Sequence, residues 1–371
     1  MKQWRQDRLI DILDTLIDYR GKTPNKVDCG IPLITAKIVK NGRIDTPTEF
    51  LPTEDYNGWM VRGFPQVGDV VLTTEAPLGE VAQLTDEKIA LAQRIVCLRG
   101  KEGVLDNTYL KYFFLSNIGQ NRLKAKETGT TVTGIKQSEL KEILIDYPKI
   151  DTQKAIASVL SSLDSKIELN SRINDNLEQQ AQALFKAWFV DNASYSGASI
   201  SDYFLPSRGK NLLTSDAKGG KVPVVAGGLT PSAYHDVANT KAPVITFSAS
   251  GANAGYVNLW GIPVWSSDSS YIDETITSNI YFWYNLLKYN QRNIYESQTG
   301  SAQPHIYPKH IGNLLIPDLD MKKVECYDSI VASMYLQISE IQQENQRLSA
   351  LRDALLPKLM SGELKISSLN N

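Results

Sequence analysis

Two long stretches of the chain carry apolar residues at alternating spacings of four and three positions, a pattern typical of a coiled coil. The first seam contains Ile156, Leu160, Leu163, Ile167, Asn170, Asn174, Leu177, Ala181, Leu184 and Trp188. The second contains Tyr327, Val331, Met334, Ile338, Ile341, Asn345, Leu348 and Leu355, and Arg352 interrupts it. The first pattern predicts a helix over 151–190, about 60 Å long at 1.5 Å per residue. The second predicts a helix that Pro357 ends or kinks.

Ahead of each helical stretch the pattern changes to short apolar runs, rich in β-branched residues and bounded by Gly, Ser and Thr, which is typical of strands. The predicted strands are 32–36, 69–74, 94–98, 223–226, 243–247 and 262–265. A further helix is predicted near 107–123, with a counterpart near 277–291. Each region therefore has the pattern of an α/β or α+β module.

The two halves of the chain repeat one another. A turn at 128–131 leads into an apolar strand closed by Pro148, and a similar turn at 299–301 leads into one closed by Pro317. Three further matches lie N-terminal to these turns and occur in the same order in both halves. They pair 20–22 with 208–210, 31–34 with 222–225 and 109–114 with 280–284. Four matches in one order indicate an internal duplication.

The duplication divides the chain into four segments. These are a first module (1–150), a first helix (151–191), a second module (192–317) and a second helix with a C-terminal tail (318–371). We expect the two helices to pack against each other as an antiparallel pair. Alternatively, they dimerise with another chain or cap the module cores.

Polar residues interrupt the apolar seams. Asn170, Asn174 and Asn345 occupy seam positions, where a buried asparagine lowers stability but specifies the register of the helices. Residues 183–190 are more apolar than a two-helix seam requires. That run is expected to support the neighbouring module or to form a surface for a partner.

Composition is that of an ordinary soluble protein, with 371 residues of which 42% are hydrophobic and 22% charged. No apolar run approaches the roughly 20 residues that cross a bilayer, and the N-terminus lacks a signal-peptide pattern. We therefore expect a cytoplasmic protein. Cys29, Cys97 and Cys326 form no C-x-x-C pair, which argues against disulfides and structural zinc and predicts buried packing residues.

Charge is spread evenly along the chain. The net charge is −2, and each module is close to neutral. Binding to DNA would therefore require cations gathered on one face of a module. We expect such a chain to bind DNA weakly by itself and to depend on a partner.

A search for catalytic patterns assigns no catalytic residue and no metal ligand. The chain lacks the G-x-x-x-x-G-K-[ST] phosphate loop and the Asn/Asp-Pro-Pro-aromatic run of amino methyltransferases. His235, His305 and His310 do not have the spacing of metal ligands. The sequence therefore predicts that this chain is not itself an enzyme.

The loops instead offer hydroxyl, amide and cationic side chains, the groups that contact phosphates and base edges. The candidate DNA contacts of the first module are Tyr19, Arg20, Lys22, Thr23, Lys37, Thr74, Arg94, Lys126, Thr128, Thr130, Thr131 and Lys136. Those of the second module are Arg208, Lys210, Ser248, Ser250, Asn253, Gln298, Ser301 and Gln303.

The order module, helix, module, helix, with a Thr-Gly turn and a Pro-terminated strand before each helix, resembles the specificity (S) subunits of Type I restriction–modification systems. The resemblance covers nearly the whole chain. It is most specific over 129–169, over 299–317 and in the C-terminal run Leu-Leu-Pro-Lys-Leu-Met-Ser-Gly-Glu-Leu at 355–364.

The resemblance implies two target-recognition domains, each reading one half of a bipartite, asymmetric site in double-stranded DNA. It implies that the helices form an antiparallel coiled coil that sets the gap between the half-sites. It also implies two DNA-methyltransferase (M) subunits, which bring S-adenosylmethionine and methylate adenine, and optional restriction (R) subunits that use ATP. None of these cofactors is expected on this chain.

Two other functions remain open from the sequence. The chain could be a non-catalytic two-domain coiled-coil scaffold that binds a protein partner and has no role on DNA, which the near-neutral charge slightly favours. It could also be an enzyme of unrecognised chemistry, against which the missing motifs argue.

Overall fold

The computed structural model describes residues 4–19, 22–129, 133–191, 193–300 and 303–366. The chain forms two compact units, one built from Met1–Ile167 with Arg347–Asn371 and the other from Glu168–Gln346. Each unit contains one globular part and a portion of both long helices. The predicted division of the sequence, which keeps each helix as a segment of its own, stays a prediction.

The globular part of the first unit contains eleven strands among the described residues. They are β1 (Arg5–Arg8), β2 (Leu13–Asp18), β3 (Ile31–Ile34), β4 (Val39–Lys40), β5 (Arg43–Ile44), β6 (Phe50–Leu51), β7 (Val70–Thr74), β8 (Leu78–Gln83), β9 (Ala90–Leu91), β10 (Ile95–Gly100) and β11 (Leu144–Tyr147). Its helices are α1 (Leu9–Ile12), α2 (Tyr56–Trp59), α3 (Asn107–Leu115), α4 (Asn117–Ala125) and α5 (Gln137–Lys141).

The first long helix, α6 (Ile150–Phe189), leads into the second unit. The strands there are β12 (Ser207–Arg208), β13 (Val222–Val225), β14 (Ala233–His235), β15 (Val244–Ser248), β16 (Val257–Trp260), β17 (Trp265–Ser266) and β18 (Ser269–Asp273). The remaining helices are α7 (Ile280–Tyr289), α8 (Gln291–Glu296), α9 (Pro308–Gly312) and the second long helix α10 (Met321–Met360).

The sheets confirm the duplication. The main sheet of the first unit has the order β2-β10-β7-β8, and that of the second has the order β12-β18-β15-β16, with antiparallel neighbours throughout. A smaller sheet follows the same plan in both units. Its central strand, β3 or β13, pairs antiparallel with β6 or β14 and parallel with β9 or β17.

Some predicted elements differ from the observed ones. The helix expected near 107–123 is two helices, because the Ser116 hydroxyl accepts a hydrogen bond from the Gly119 N–H (3.3 Å) and starts α4. Of the run 262–265, only its last residue belongs to a strand. The strand expected before Pro317 is reduced to a single bridge between Ser199 and Leu315.

The cysteine prediction is correct for one residue only. Cys97 is buried in the main sheet of the first unit, where its thiol lies 3.4 Å from an Asp69 carboxylate oxygen. Cys29 and Cys326 are exposed, so the prediction that they are buried packing residues is wrong. Both lie outside the apolar positions of any strand or seam, which explains why packing does not cover them.

The two long helices bury part of each predicted seam and half-bury the rest. Ile156 and Leu160 of α6 are buried in the core of the first unit, and Tyr327 and Val331 of α10 are buried in that of the second. Pro357 does not end α10, which continues to Met360. The proline removes one backbone hydrogen bond, and because it lies in the last turn only three residues of α10 follow it.

Within the second unit, α6 and α10 run antiparallel. Asn170 Nδ2 donates to Asn345 Oδ1 (2.8 Å), and the Tyr327 hydroxyl donates to the Ala181 carbonyl (2.9 Å). Positions along α6 therefore rise as those along α10 fall. Asn170 also donates to a Glu344 carboxylate oxygen (2.7 Å), so this buried amide is bound to two groups of the facing helix.

Within the first unit, the same helices are joined by a partly buried ionic cluster. Asp164 of α6 accepts hydrogen bonds from Arg352 of α10 (2.9 Å) and from the Tyr112 hydroxyl of α3 (2.6 Å). Lys111 Nζ lies 3.8 Å from the same carboxylate. Burial lowers the pKa of Lys111, and Asp164 opposes that shift. One carboxylate thus connects both long helices to the globular part.

Replacing Asp164 by Ala should destabilise the first unit by roughly 2–4 kcal/mol, because it leaves the cations of Lys111 and Arg352 uncompensated in a partly buried place. Chemical unfolding of the full chain, with hydrogen exchange of α3 to locate the effect, measures this. Asp353→Ala is the matched control, since Asp353 also pairs with Arg352 but is 63% exposed. It should lower stability by less than about 1 kcal/mol, and equal losses from the two variants would contradict the prediction.

Candidate nucleic-acid interface

In the first unit, several candidate DNA contacts gather at one end of the main sheet. Strand β2 ends and β10 begins there, because Asp18 pairs with Val96, and β7 ends beside them. The loop after α4 closes over the same end through bridges of Gly134 with Thr128 and with Glu75. The first edge cluster is defined as the side chains that this end collects, Lys22, Thr23, Arg94, Thr128 and Lys136.

The cations of the first edge cluster are neutralised unequally. Arg94 forms an ion pair with Glu75 (3.3 Å) and is about half exposed. Lys22 and Lys136 are exposed and form no ion pair with the described residues. Thr23 donates its hydroxyl proton to Gln93 Oε1 (3.1 Å), which orders the loop after β2 against the start of β10. The available positive charge therefore comes mainly from the two lysines.

The second unit repeats this arrangement. Strand β12 ends where β18 begins, because Arg208 pairs with Ser270, and Ser248 at the end of β15 pairs with the first residue of β18. The loop after α8 closes over this end through bridges of His305 with Thr299 and with Ser250. The second edge cluster is defined as Arg208, Lys210, Ser250, His305 and Tyr307.

Aromatic and carboxylate groups organise the second edge cluster. The guanidinium of Arg208 forms an ion pair with Asp268 (3.1 Å) and lies 5.8 Å from the centre of the Tyr307 ring. The rings of His305 and Tyr307 are stacked, with centres 6.1 Å apart and planes 9° from parallel. The Ser250 hydroxyl donates to the same carboxylate of Asp268.

His305 and Tyr307 were missed by the sequence analysis. A signal was available, because Tyr307 follows Ile306 in the second repeat as Lys136 follows Ile135 in the first. Both isoleucines are buried, so the next residue lies at the rim of the sheet end in each unit. Extending the repeat alignment by a few residues beyond the Thr-Gly turn would have identified the tyrosine.

Three candidates are buried in the described structure, which argues against direct contact with DNA, and their assignment as contacts stays a prediction. Tyr19 is fully buried, stacks on Trp59, accepts a hydrogen bond from the Arg62 N–H (3.0 Å) and donates one to a backbone carbonyl. Thr74 and Ser248 end the central strands β7 and β15 and are 2% and 3% exposed. In each case the neighbouring strands and helices cover the side chain.

The remaining candidates occupy varied positions. Lys37 is 81% exposed with Glu49 at 3.8 Å, while Lys126 is bound to Glu139 at 2.8 Å. Hydrogen bonding to Lys126 lowers the pKa of Glu139, so that pair stays ionised and mutually neutralised. Gln298 and Asn253 are half-buried and Gln303 is exposed. Arg20, Thr130, Thr131 and Ser301 lie outside the described residues.

Of the seam asparagines, Asn170 and Asn345 bond to one another, whereas Asn174 does not join them. The Asn174 side-chain oxygen is buried and has no hydrogen-bond partner among the described residues. The part of the chain that the structure describes contains no cluster of three His, Cys, Asp or Glu side chains able to hold a metal ion. The same residues form no helix long and apolar enough to cross a membrane.

The fold is that of a duplicated protein with two globular parts of one strand order, each packed on portions of two long helices. Residues 1–179 match the family described as Type I restriction modification DNA specificity domain. Over these residues, just under half of its length, the chain is similar to the specificity subunits of Type I restriction–modification systems.

Individual relatives show the same similarity. The MjaIX specificity subunit of a Type I restriction enzyme from Methanocaldococcus jannaschii is 27% identical over 417 residues, covering 99% of this chain and 95% of the relative. The HindI specificity subunit from Haemophilus influenzae is 41% identical over 70 residues, covering 19% of this chain and 15% of the relative.

A solved structure supports the fold. The crystal structure of a Type I restriction–modification S subunit from M. genitalium superposes with a TM-score of 0.61 at 21% identity, covering 96% of both chains. At that identity the similarity concerns the fold and not the residues at the sheet ends.

Replacing Lys210 by Ala should weaken binding of the assembled complex to DNA of any sequence by about three- to tenfold and reduce the slope of log K against log salt by about 1, as loss of one phosphate contact does. Fluorescence anisotropy over a salt series measures both. Lys241→Ala is the matched control, because Lys241 is 64% exposed at the opposite end of the same sheet. An unchanged slope for Lys210→Ala would contradict the assignment.

Proposed function

We propose that this chain selects the DNA sequence on which a Type I restriction–modification complex acts. Each unit reads one half of a bipartite, asymmetric site in double-stranded DNA through its edge cluster. The observation that carries the proposal is that the two sheet ends share one backbone plan but bear different side chains. Gly134 and Lys136 in the first unit correspond to His305 and Tyr307 in the second.

Different side chains on a common frame suit the reading of two different half-sites. Lysine donates to the O6 and N7 atoms of guanine, and hydroxyl groups contact either bases or phosphates. The first edge cluster offers the exposed ammonium groups of Lys22 and Lys136. The second offers an arginine held by Asp268 and a tyrosine ring. The two clusters therefore present different hydrogen-bonding groups to the duplex.

Binding of DNA by this chain alone is expected to be weak. Arg94 and Arg208 have carboxylate partners, and each globular part is close to neutral. The sequence-independent part of DNA affinity depends on phosphate neutralisation by cations. Two M subunits docked on the long helices would add that charge. They would also supply S-adenosylmethionine and the transfer of its methyl group to adenine.

The long helices are proposed to set the gap between the half-sites. The Asn170–Asn345 hydrogen bond and the Asp164–Arg352 ion pair each join α6 to α10 at a specific position. Slipping by one turn, about 5.4 Å, would break these buried or partly buried contacts. Within such a complex this chain is a non-catalytic subunit, and the ATP used in restriction belongs to optional R subunits.

Deleting the gene from the source cell should abolish adenine methylation at one bipartite, gapped motif, because no other reader would direct the methyltransferase there. Genome-wide sequencing of methylated adenines with and without the gene measures this, and restoring the gene on a plasmid is the control. Persistence of every methylated motif would favour the alternative, a two-domain coiled-coil scaffold without a role on DNA.

Inserting four residues between Asn170 and Asn174 should change the gap by one or two base pairs and leave both half-sites unaltered, since four helical residues add about 6 Å. The methylated motif of the variant complex gives the result directly. A four-residue insertion in the exposed loop at 218–221 is the control, and the gap should not change. A methylated motif with its original gap after the helix insertion would refute the spacer role.

A further inference from the structure

A polar cleft of about 420 Å³ lies within the second unit, between β16 and the two long helices. Strand β16 is the last strand of its sheet, and α6 and α10 form the facing wall. The side chains that carry the argument are Asn174, Asp175 and Glu178 of α6, Asn258 and Trp260 of β16, and Gln342 of α10. None of these residues belongs to the second edge cluster.

The cleft has the chemistry of a site for a cation. Asp175 and Glu178 line it, and no lysine or arginine does so among the described residues. The buried side-chain oxygen of Asn174 also lacks a donor there. Because two carboxylates and an unpaired carbonyl oxygen repel phosphate, the cleft is unsuited to DNA. The amides of Asn258 and Gln342 can bond to the N–H and C=O groups of a peptide.

The first unit covers its corresponding edge strand with a segment of its own. The hairpin β4–β5 packs on β8, the counterpart of β16, where the Asn41 N–H donates to Glu80 (2.7 Å). Its next residue, Gly42, approaches Leu115 at the end of α3. Arg43 is close to Lys111, whose pKa is lowered by burial and further by this arginine. A cation-bearing hairpin therefore packs on the edge strand of the first unit and approaches α3.

The second unit has a carboxylate on α6 that accepts a hydrogen bond from a tyrosine, but it has no counterpart of the β4–β5 hairpin among its described residues. Tyr112 of α3 donates to Asp164, and its counterpart Tyr284 of α7 donates to Glu178 (2.6 Å). Burial raises the pKa of Tyr284, so its hydroxyl remains protonated and occupies one oxygen of Glu178. Glu178 lines the cleft beside this hydrogen bond. Between β13 and β14 the described chain forms turns and no strand pair.

We propose that a basic segment of the M subunit enters this cleft and places a lysine or arginine between Asp175 and Glu178. The proposal rests on the proposed function, and it assigns to the partner the role that the β4–β5 hairpin has in the first unit. A peptide fits better than DNA because of the negative lining, and better than a small apolar ligand because of the amides. The two M subunits would then meet different surfaces, a hairpin in one unit and an open cleft in the other.

The double variant Asp175→Asn/Glu178→Gln should bind the M subunit about tenfold more weakly, as expected for loss of charge-assisted hydrogen bonds at near-constant shape. The measurement is titration of the full-length chain against the M subunit that co-purifies with it. Glu325→Gln/Glu340→Gln is the matched control, because it removes the same charge from two exposed positions of α10 outside the cleft. Circular dichroism and the unfolding midpoint verify that both double variants are folded.

A second variant tests the same site without removing charge. Gln342→Lys places an ammonium group of this chain in the cleft, where it should compete with the partner's cation and weaken binding by a similar factor. A photo-reactive residue at position 258 should cross-link to a Lys- or Arg-containing peptide of the M subunit. Cross-links to DNA, or unaltered affinity of both cleft variants, would overturn the proposal.

Failure of this proposal is distinguishable from failure of the proposed function. If the gene directs methylation of a gapped motif but the cleft variants bind the M subunit as the wild type does, only the cleft assignment is wrong. If spermidine saturates the cleft and binding of the M subunit is unaffected, the occupant of the cleft is a small polyamine and not a segment of the M subunit. If no M subunit co-purifies with the chain, both proposals fail.

Discussion

The antiparallel pairing of α6 and α10 is the interaction on which the remaining structure depends. Both globular cores are completed by these helices, the first by Ile156 and Leu160 and the second by Phe185 and Phe189. Apolar seams alone tolerate a shift of one helical turn, because an apolar side chain moved by one turn packs against another apolar side chain. The buried Asn170 amide does not tolerate it, since a shifted register would leave its donors without acceptors. Polar seam residues thus fix one register between two helices whose apolar contacts alone would allow several.

The duplication has preserved the backbone arrangement of the two units more strictly than their side chains. Strand order and the sense of every strand pair are the same in both main sheets. Tyr112 and Tyr284 both donate to a carboxylate of α6, although one acceptor is Asp164 and the other Glu178. At the sheet ends Thr128 and Thr299 donate equivalent hydrogen bonds to the carbonyls of Gly134 and His305, whereas the side chains at those two bridged positions differ. Close packing constrains the buried strands and helices, whereas side chains at the solvent-facing sheet ends can diverge in sequence.

The sequence predicted the elements whose signal is long or repeated. The two helices were predictable because their period persists over about forty residues, and β3 because the same tetrapeptide pattern recurs at β13. Interactions between distant segments were not predictable from either signal. Burial of Tyr19 depends on Trp59 and on strands that pair across the chain, and the break at Ser116 depends on one local hydrogen bond that the helical period does not reveal. Lys136 was a candidate because of its charge, whereas the position of Tyr307 at the second sheet end could be predicted only by aligning the two repeats.

Near-zero net charge in this chain results from opposed local charges and not from an absence of charge. In the second unit the lysine at position 210 lies at the sheet end, whereas Asp175 and Glu178 line a cleft formed with β16. Opposite signs at different places give a weak long-range field, so electrostatic steering toward either a duplex or a protein is small. Specificity must then come from short-range hydrogen bonds at each place. A chain of this kind can discriminate well while binding weakly, provided that a partner supplies the remaining affinity.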